Sequence, residues 1–192
     1  MAGFEGYAGE YRGEVDVRAS IILGEDPSVE SRSFDMHGFV RIKEWPLEGY
    51  ERRTLDDGRV QIDLEMVESQ ITAEIEEFGS EIRITETTAD RNLGTLTQVT
   101  AGEDFPAEFA LARLVSVDTP IGRLHNEEPI QIRATIDSIP PVATRESREG
   151  MNVFEAVNTP VPLLDEQNKV VAHFSGDPAE HTNCNVLMRS AE

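Results

Sequence analysis

The sequence predicts an all-β protein, folded as an antiparallel β-barrel of about 8–10 strands or, alternatively, as a two-sheet β-sandwich. Apolar and polar residues alternate in one run after another from residue 14 onward. Clusters of turn-forming residues, such as "LDDGR" and "HNEEP", separate these runs. No window has a sustained helical period. Strands that each have one apolar and one polar face indicate antiparallel sheets.

Nine runs qualify as strands. The first two show the alternation best, because every second residue is apolar or glycine over nine positions, 15–23 and 34–42. The predicted strands span residues 14–23, 33–43, 59–67, 69–76, 80–88, 93–100, 107–118, 129–137 and 168–174. A single short turn of helix is expected in "REGMNVFEAV".

The chain of 192 residues is expected to form one domain, 1–192. Two segments interrupt the strand pattern. Residues 1–13 mix glycines with aromatic residues and are expected to form an N-terminal arm. Residues 140–167 contain four prolines and little periodicity, which is typical of a long loop or of a lid over a barrel mouth.

The formal net charge of −20 limits the classes of partner. A surface this acidic repels phosphate backbones and anionic lipid headgroups, so we expect neither nucleic acid nor a membrane surface as a partner. The first residues lack the basic and apolar regions of a signal peptide, and no apolar stretch is long enough to span a bilayer. Cys184 is the only cysteine, which excludes an intrachain disulfide and suits a reducing compartment. These features predict a cytoplasmic protein.

Several familiar catalytic motifs are absent from the sequence. It has no glycine-rich phosphate loop, no Gly-x-Ser-x-Gly nucleophile elbow, no His-Glu-x-x-His pair and no calcium-binding loop. Nucleotide hydrolysis, α/β-hydrolase chemistry and zinc protease chemistry are therefore not expected. Nothing in the sequence calls for a cofactor.

The segment "HFSGDPAEHTNC" is the densest group of metal-ligand residue types, with His173, Asp177, His181 and Cys184. Helical spacing cannot align them, because a glycine and a proline interrupt the segment. We therefore predict a turn that follows a strand and binds no metal. A loop that gathers these four residues around zinc or iron remains an alternative.

Arg113 falls in the apolar phase of its predicted strand, between Leu111 and Val115. A charge on an inward face needs an acidic partner or a bound anionic or carbonyl-bearing ligand, so Arg113 is a candidate ligand anchor. A bulge near Ala112 would instead turn Arg113 outward. Glu86, Thr95 and Thr97 are the polar residues expected to share the interior with Arg113.

Three further residues are weaker candidates. Trp45, the only tryptophan, lies in a strand-end segment, where it would plug a barrel end, contact a ligand or simply pack in the core. His37 and His125 lie near acidic residues and are either proton shuttles or solvated surface groups.

Three functions remain open from the sequence. A barrel of eight or more strands can hold a small, largely apolar molecule. Some such barrels resemble, in architecture alone, cofactor-free cyclases and isomerases that act by confining a reactive chain. The second function is a non-catalytic structural or protein-interaction sandwich, and the third is a metal-dependent enzyme that uses the segment His173–Cys184. The ligand, the reaction and the oligomeric state do not follow from the sequence.

Overall fold

The computed structural model describes residue 4 and residues 9–28, 34–75, 80–87, 91–141 and 152–176. Within these ranges the chain forms thirteen β-strands and no helix, and therefore no helix that is long and apolar enough to cross a membrane. The strands are β1 (Glu10–Leu23), β2 (Phe34–Glu44), β3 (Arg52–Thr54), β4 (Val60–Ile75), β5 (Ser80–Glu86), β6 (Asn92–Gln98), β7 (Ala107–Arg113), β8 (Val115–Thr119), β9 (Gly122–His125), β10 (Ile130–Ile136), β11 (Glu155–Ala156), β12 (Val161–Leu164) and β13 (Val170–Gly176).

Eight of the strands close into an antiparallel ring. Its order is β4-β2-β1-β13-β12-β9-β8-β5, and β5 pairs with β4 to complete it. A second row of strands, which we call the branch, has the order β6-β7-β10-β11 and joins the ring where β6 pairs with β4. The short β3 also pairs with β4. The prediction of an all-β, antiparallel barrel is confirmed.

Strand β4 is the junction of the ring and the branch. Along one edge, residues 61–66 pair with β6 and residues 70–75 pair with β5. Along its other edge, β4 pairs with β2, where the register shifts so that Arg41 faces Glu68 but Ile42 faces Met66. A bulge of this kind bends a strand and exchanges its two faces. The two strands predicted at 59–67 and 69–76 are therefore one bent strand whose apolar phase changes at the bulge.

The predicted apolar faces account for most of the core. In β1, Val15, Ala19 and Ile21 are buried, whereas Leu23 at the strand end is 46% exposed. The long run predicted at 107–118 is divided at Leu114 into β7 and β8. Burial still alternates across this division, and Arg113 is buried at 8% exposure. The bulge near Ala112 that would have turned Arg113 outward is therefore not present.

Both segments expected to be irregular contain regular structure. β1 begins at Glu10, inside the expected arm, and the aromatic ring of Phe4 is fully buried against Phe105. The excursion at 140–167 contains the short strands β11 and β12. Its residues 142–151 lie outside the described part of the chain. The described part of "REGMNVFEAV" contains β11 in place of the expected helical turn.

Candidate ligand-binding cavity

A cavity lies between the ring and the branch. Strands β1, β2 and β4 supply one part of its wall, and β7, β10 and β11 supply the other, together with Phe174 of β13. Most of the lining side chains are apolar, including Val15, Val40, Met66, Leu111, Ile132 and Phe174. The facing sides of the ring and the branch therefore leave a space between them and are not fully packed against each other.

The cavity has a volume of about 100 Å³ and is partly open to solvent. One water needs roughly 10–15 Å³ of such a volume, so the cavity has room for several waters or for a small organic molecule.

Arg113 lines this cavity and belongs to a buried polar network. Its Nε and Nη2 donate hydrogen bonds to Glu86 Oε1 at 3.0 and 2.7 Å, and Nη2 also donates to Ser69 Oγ at 2.6 Å. Ser69 Oγ donates to the same carboxylate oxygen at 2.5 Å, and Asn92 Nδ2 donates to Glu86 Oε2. The side chains of Arg113 and Glu86 are 10% and 9% exposed. Both charges are therefore paired within the protein, and Arg113 Nη1 has no hydrogen bond to the described residues.

Two asparagines position the break at Leu114 that follows Arg113. The Leu114 amide donates to Asn92 Oδ1 at 2.7 Å, and the Val115 amide donates to Asn126 Oδ1 at 2.7 Å. Asn126 Nδ2 in turn donates to the carbonyl of Arg113 at 3.1 Å. These bonds satisfy backbone groups that the sheet leaves free, so the chain bends without turning Arg113 out of the interior.

The other residues proposed as polar ligand contacts have different positions. Glu86 touches Arg113, as described above. Thr95 and Thr97 lie on the face of β6 opposite to the buried Leu96, and Thr97 Oγ1 accepts a hydrogen bond from Gln61 Nε2 at 2.8 Å. Trp45 is half-buried against the core, with the Arg52 guanidinium 5.6 Å from its ring centroid. None of Thr95, Thr97 and Trp45 lines the cavity.

The three histidines in the described part of the chain do not line the cavity either. His37 is exposed and pairs with Asp16, whereas His125 belongs to β9. His173 lies on β13 opposite Ile22 and Pro162 and is buried at 6% exposure. Its three possible co-ligands, Asp177, His181 and Cys184, lie outside the described residues. No cluster of three or more potential metal ligands occurs in the described part of the chain.

Sequence reasoning missed Tyr11, Arg18 and Glu44. Tyr11 and Arg18 line the cavity from β1. Glu44 continues the inward phase of β2 after Val40 and Ile42, and it is only 1% exposed. The alternation could have identified Glu44. However, β2 was expected to end at residue 43, and an acidic residue just beyond the end of a strand normally reaches solvent.

A model of a protein family matches residues 8–158, which span most of the strands described above; it is described as "Family of unknown function (DUF6004)". The chain belongs to this family. The matched residues of this DUF6004 member include β1 to β11 and thus every strand that contributes to the cavity wall except β13. No curated protein matches the chain.

The fold of this DUF6004 member is similar to that of DynF from the dynemicin biosynthesis pathway of Micromonospora chersina. The two structures superpose with a TM-score of 0.67 and share 21% sequence identity. The match covers 88% of this chain and 77% of DynF. At this level of identity the similarity establishes a common fold.

Proposed function

We propose that the protein binds a small, largely apolar organic molecule in the cavity between the ring and the branch. The observation that carries this proposal is the cavity itself, whose wall is apolar except for Tyr11, Arg18 and Arg113. Ligand sites in proteins commonly combine a mostly apolar concave wall with a few polar groups that orient the ligand.

Arg113 is the proposed polar anchor. Glu86 and Ser69 hold the guanidinium in one orientation, and Nη1 is left available for an acceptor atom on the ligand. A cation fixed in this way loses little freedom when it binds a ligand. Because its charge is already compensated by Glu86, we expect this anchor to bind a neutral oxygen acceptor.

The interaction-module alternative has less support. It would require a contiguous apolar surface patch. Among the described residues, only five large apolar side chains are exposed, Leu23, Leu93, Val99, Ile121 and Val157.

A cofactor-free rearrangement of the bound molecule is the catalytic form of this proposal. An apolar wall that surrounds most of a flexible ligand restricts the shapes that the ligand can take, which lowers the entropic part of an intramolecular barrier. DynF, which has a similar fold, comes from a biosynthetic pathway. Cyclisation or isomerisation would need only the confinement and the polar groups already present in the wall.

The test is a fluorescence titration with N-phenyl-1-naphthylamine, a neutral apolar dye that brightens when it leaves water. Ala156 of β11 lines the cavity, and Ala156→Phe fills part of it. Ala112 of β7 is half-buried and does not line the cavity, so Ala112→Phe is the matched control. We expect the wild-type protein and Ala112→Phe to bind the dye, and Ala156→Phe to bind at least about tenfold more weakly. Equal binding by both variants, or no binding by the wild type, would refute the proposal.

A further inference from the structure

We propose that Glu44 and Tyr11 form a second polar subsite at the edge of the cavity, where a neutral Glu44 carboxylic acid and the Tyr11 hydroxyl donate hydrogen bonds to a carbonyl oxygen of the ligand. This inference rests on the proposed function. It narrows the ligand class from an apolar molecule to an apolar ketone or quinone.

The strand register brings the two side chains together. Val40 and Ile42 line the cavity. Glu44 does not line it, but it is the next buried residue on the same face of β2, about 7 Å further along the strand. Tyr11 pairs directly with Ile42 across β1 and β2 and also lines the cavity. Directly paired residues project from the same face of a sheet, so Tyr11 and Glu44 are diagonal neighbours on the interior face.

Glu44 is buried without a partner in the protein. It is 1% exposed, and neither of its carboxyl oxygens has a hydrogen bond to the described residues. Buried polar groups that serve the fold alone are nearly always hydrogen-bonded, as Glu86 is. A bound oxygen acceptor would supply the contact that Glu44 lacks.

Burial keeps both groups in their hydrogen-bond-donating forms. Desolvation raises the pKa of Glu44 to about 8, so this carboxyl group is mostly protonated at pH 7. Desolvation, and then the charge of Glu44, raise the pKa of Tyr11 well above its usual value.

The neighbours of Glu44 include few charged groups. On β4, the residue opposite Glu44 is the apolar Leu64. The other charged groups of the wall are Arg18, further along β1, and Arg113, which is paired with Glu86.

The backbone at this edge is closely packed over Glu44. The Glu44 amide donates to the Gly9 carbonyl at 2.8 Å. Gly9 has φ +76°, and a Cβ there would lie 2.8 Å from Leu47 Cγ. Only glycine accepts this conformation and contact without strain, so the chain here can pass close to Glu44 and exclude solvent from it.

The experiment compares 9-fluorenone with fluorene, which have nearly the same shape and differ in the carbonyl group. Each competes with N-phenyl-1-naphthylamine for the wild type, Glu44→Gln, Glu44→Leu and Tyr11→Phe. We expect the wild type to prefer the ketone at least about tenfold at pH 6.5 and to lose most of this preference at pH 9, because Glu44 ionises as the pH rises through about 8.

The variants show whether the ketone preference depends on the hydrogen-bond donors of Glu44 and Tyr11 or only on the shape of the cavity. Glu44→Gln keeps a donor that does not titrate, so it should prefer the ketone equally at both pH values. Glu44→Leu should lose most of the preference at both pH values, with the remainder supplied by Tyr11, and Tyr11→Phe should lose part of the preference. If the dye binds but the wild type does not prefer the ketone, or prefers it equally at both pH values, this inference is wrong and the proposed function stands. If the dye does not bind at all, both fail.

Discussion

Glu86 and Glu44 occupy equivalent positions in their strands but have opposite environments. Each follows alternating apolar residues on an inward face, Ile82 and Ile84 before Glu86, and Val40 and Ile42 before Glu44. Glu86 accepts hydrogen bonds from Arg113, Ser69 and Asn92, whereas Glu44 has no partner among the described residues. A buried acid with partners stabilises one arrangement of the strands, whereas one without partners lowers stability unless a ligand binds it.

The largest expected effect comes from breaking the Glu86 network. Arg113→Leu leaves the carboxylate of Glu86 buried without its cation, so the free energy of unfolding should fall by about 3–5 kcal/mol. Urea denaturation monitored by circular dichroism measures this. The double variant Arg113→Leu, Glu86→Leu buries no charge and should recover part of the loss. Wild-type stability for Arg113→Leu alone would show that the pair does not support the fold.

The substitution Glu44→Gln should instead raise the free energy of unfolding. The pKa of Glu44 is about 8 in the folded protein and near 4.5 in the unfolded chain, so the unfolded chain releases this proton first as the pH rises. The wild type therefore loses stability between pH 4.5 and 8, and Glu44→Gln should be more stable at pH 8 by up to about 4 kcal/mol.

The exposed Glu48 provides the control for net charge, because Glu48→Gln removes the same charge from the surface. Thermal unfolding of both variants from pH 5 to pH 8.5 makes the comparison. The stability gained by Glu44→Gln should grow with pH and should exceed that gained by Glu48→Gln. If either expectation fails, Glu44 is not held neutral by burial.

The smallest expected effect is at Ser69, which bridges Arg113 and Glu86. Ser69→Ala removes a hydrogen bond that is accepted from Arg113 and one that is donated to Glu86, while the ion pair remains. The loss should be about 1 kcal/mol in urea denaturation. Ser116→Ala, at a half-buried serine without a hydrogen bond from its hydroxyl to the described residues, should change stability less. A loss as large as that of Arg113→Leu would show that Ser69 holds the pair together.

The inward position of Arg113 could be predicted because alternation along a strand is local: one apolar phase runs through Phe109, Leu111 and Val115. The same alternation placed Glu86 in this interior, but neither its direct contact with Arg113 nor the part played by Ser69 could be predicted. Ser69 and Glu86 are 44 and 27 residues away in sequence, and the pairing of β4 with β5 is what brings them to the same interior. Thr95 and Thr97 do not line the cavity, although Thr97 is buried. A threonine-rich run has no clear apolar phase, and a slip of one residue exchanges the two faces of a strand.

The sequence by itself determined the all-β class, most strand positions and the inward side of most strands, because these depend on a two-residue period and on local turn chemistry. Short strands such as β9, β11 and β12 were not predicted, since two to four residues are too few to show a period. Only the tertiary structure decided that β4 is shared by a ring and a branch, that a cavity lies between them, and that Glu86 is paired while Glu44 is not. These features depend on which distant strands become neighbours, and strand pairing over long separations leaves no periodic pattern in the sequence.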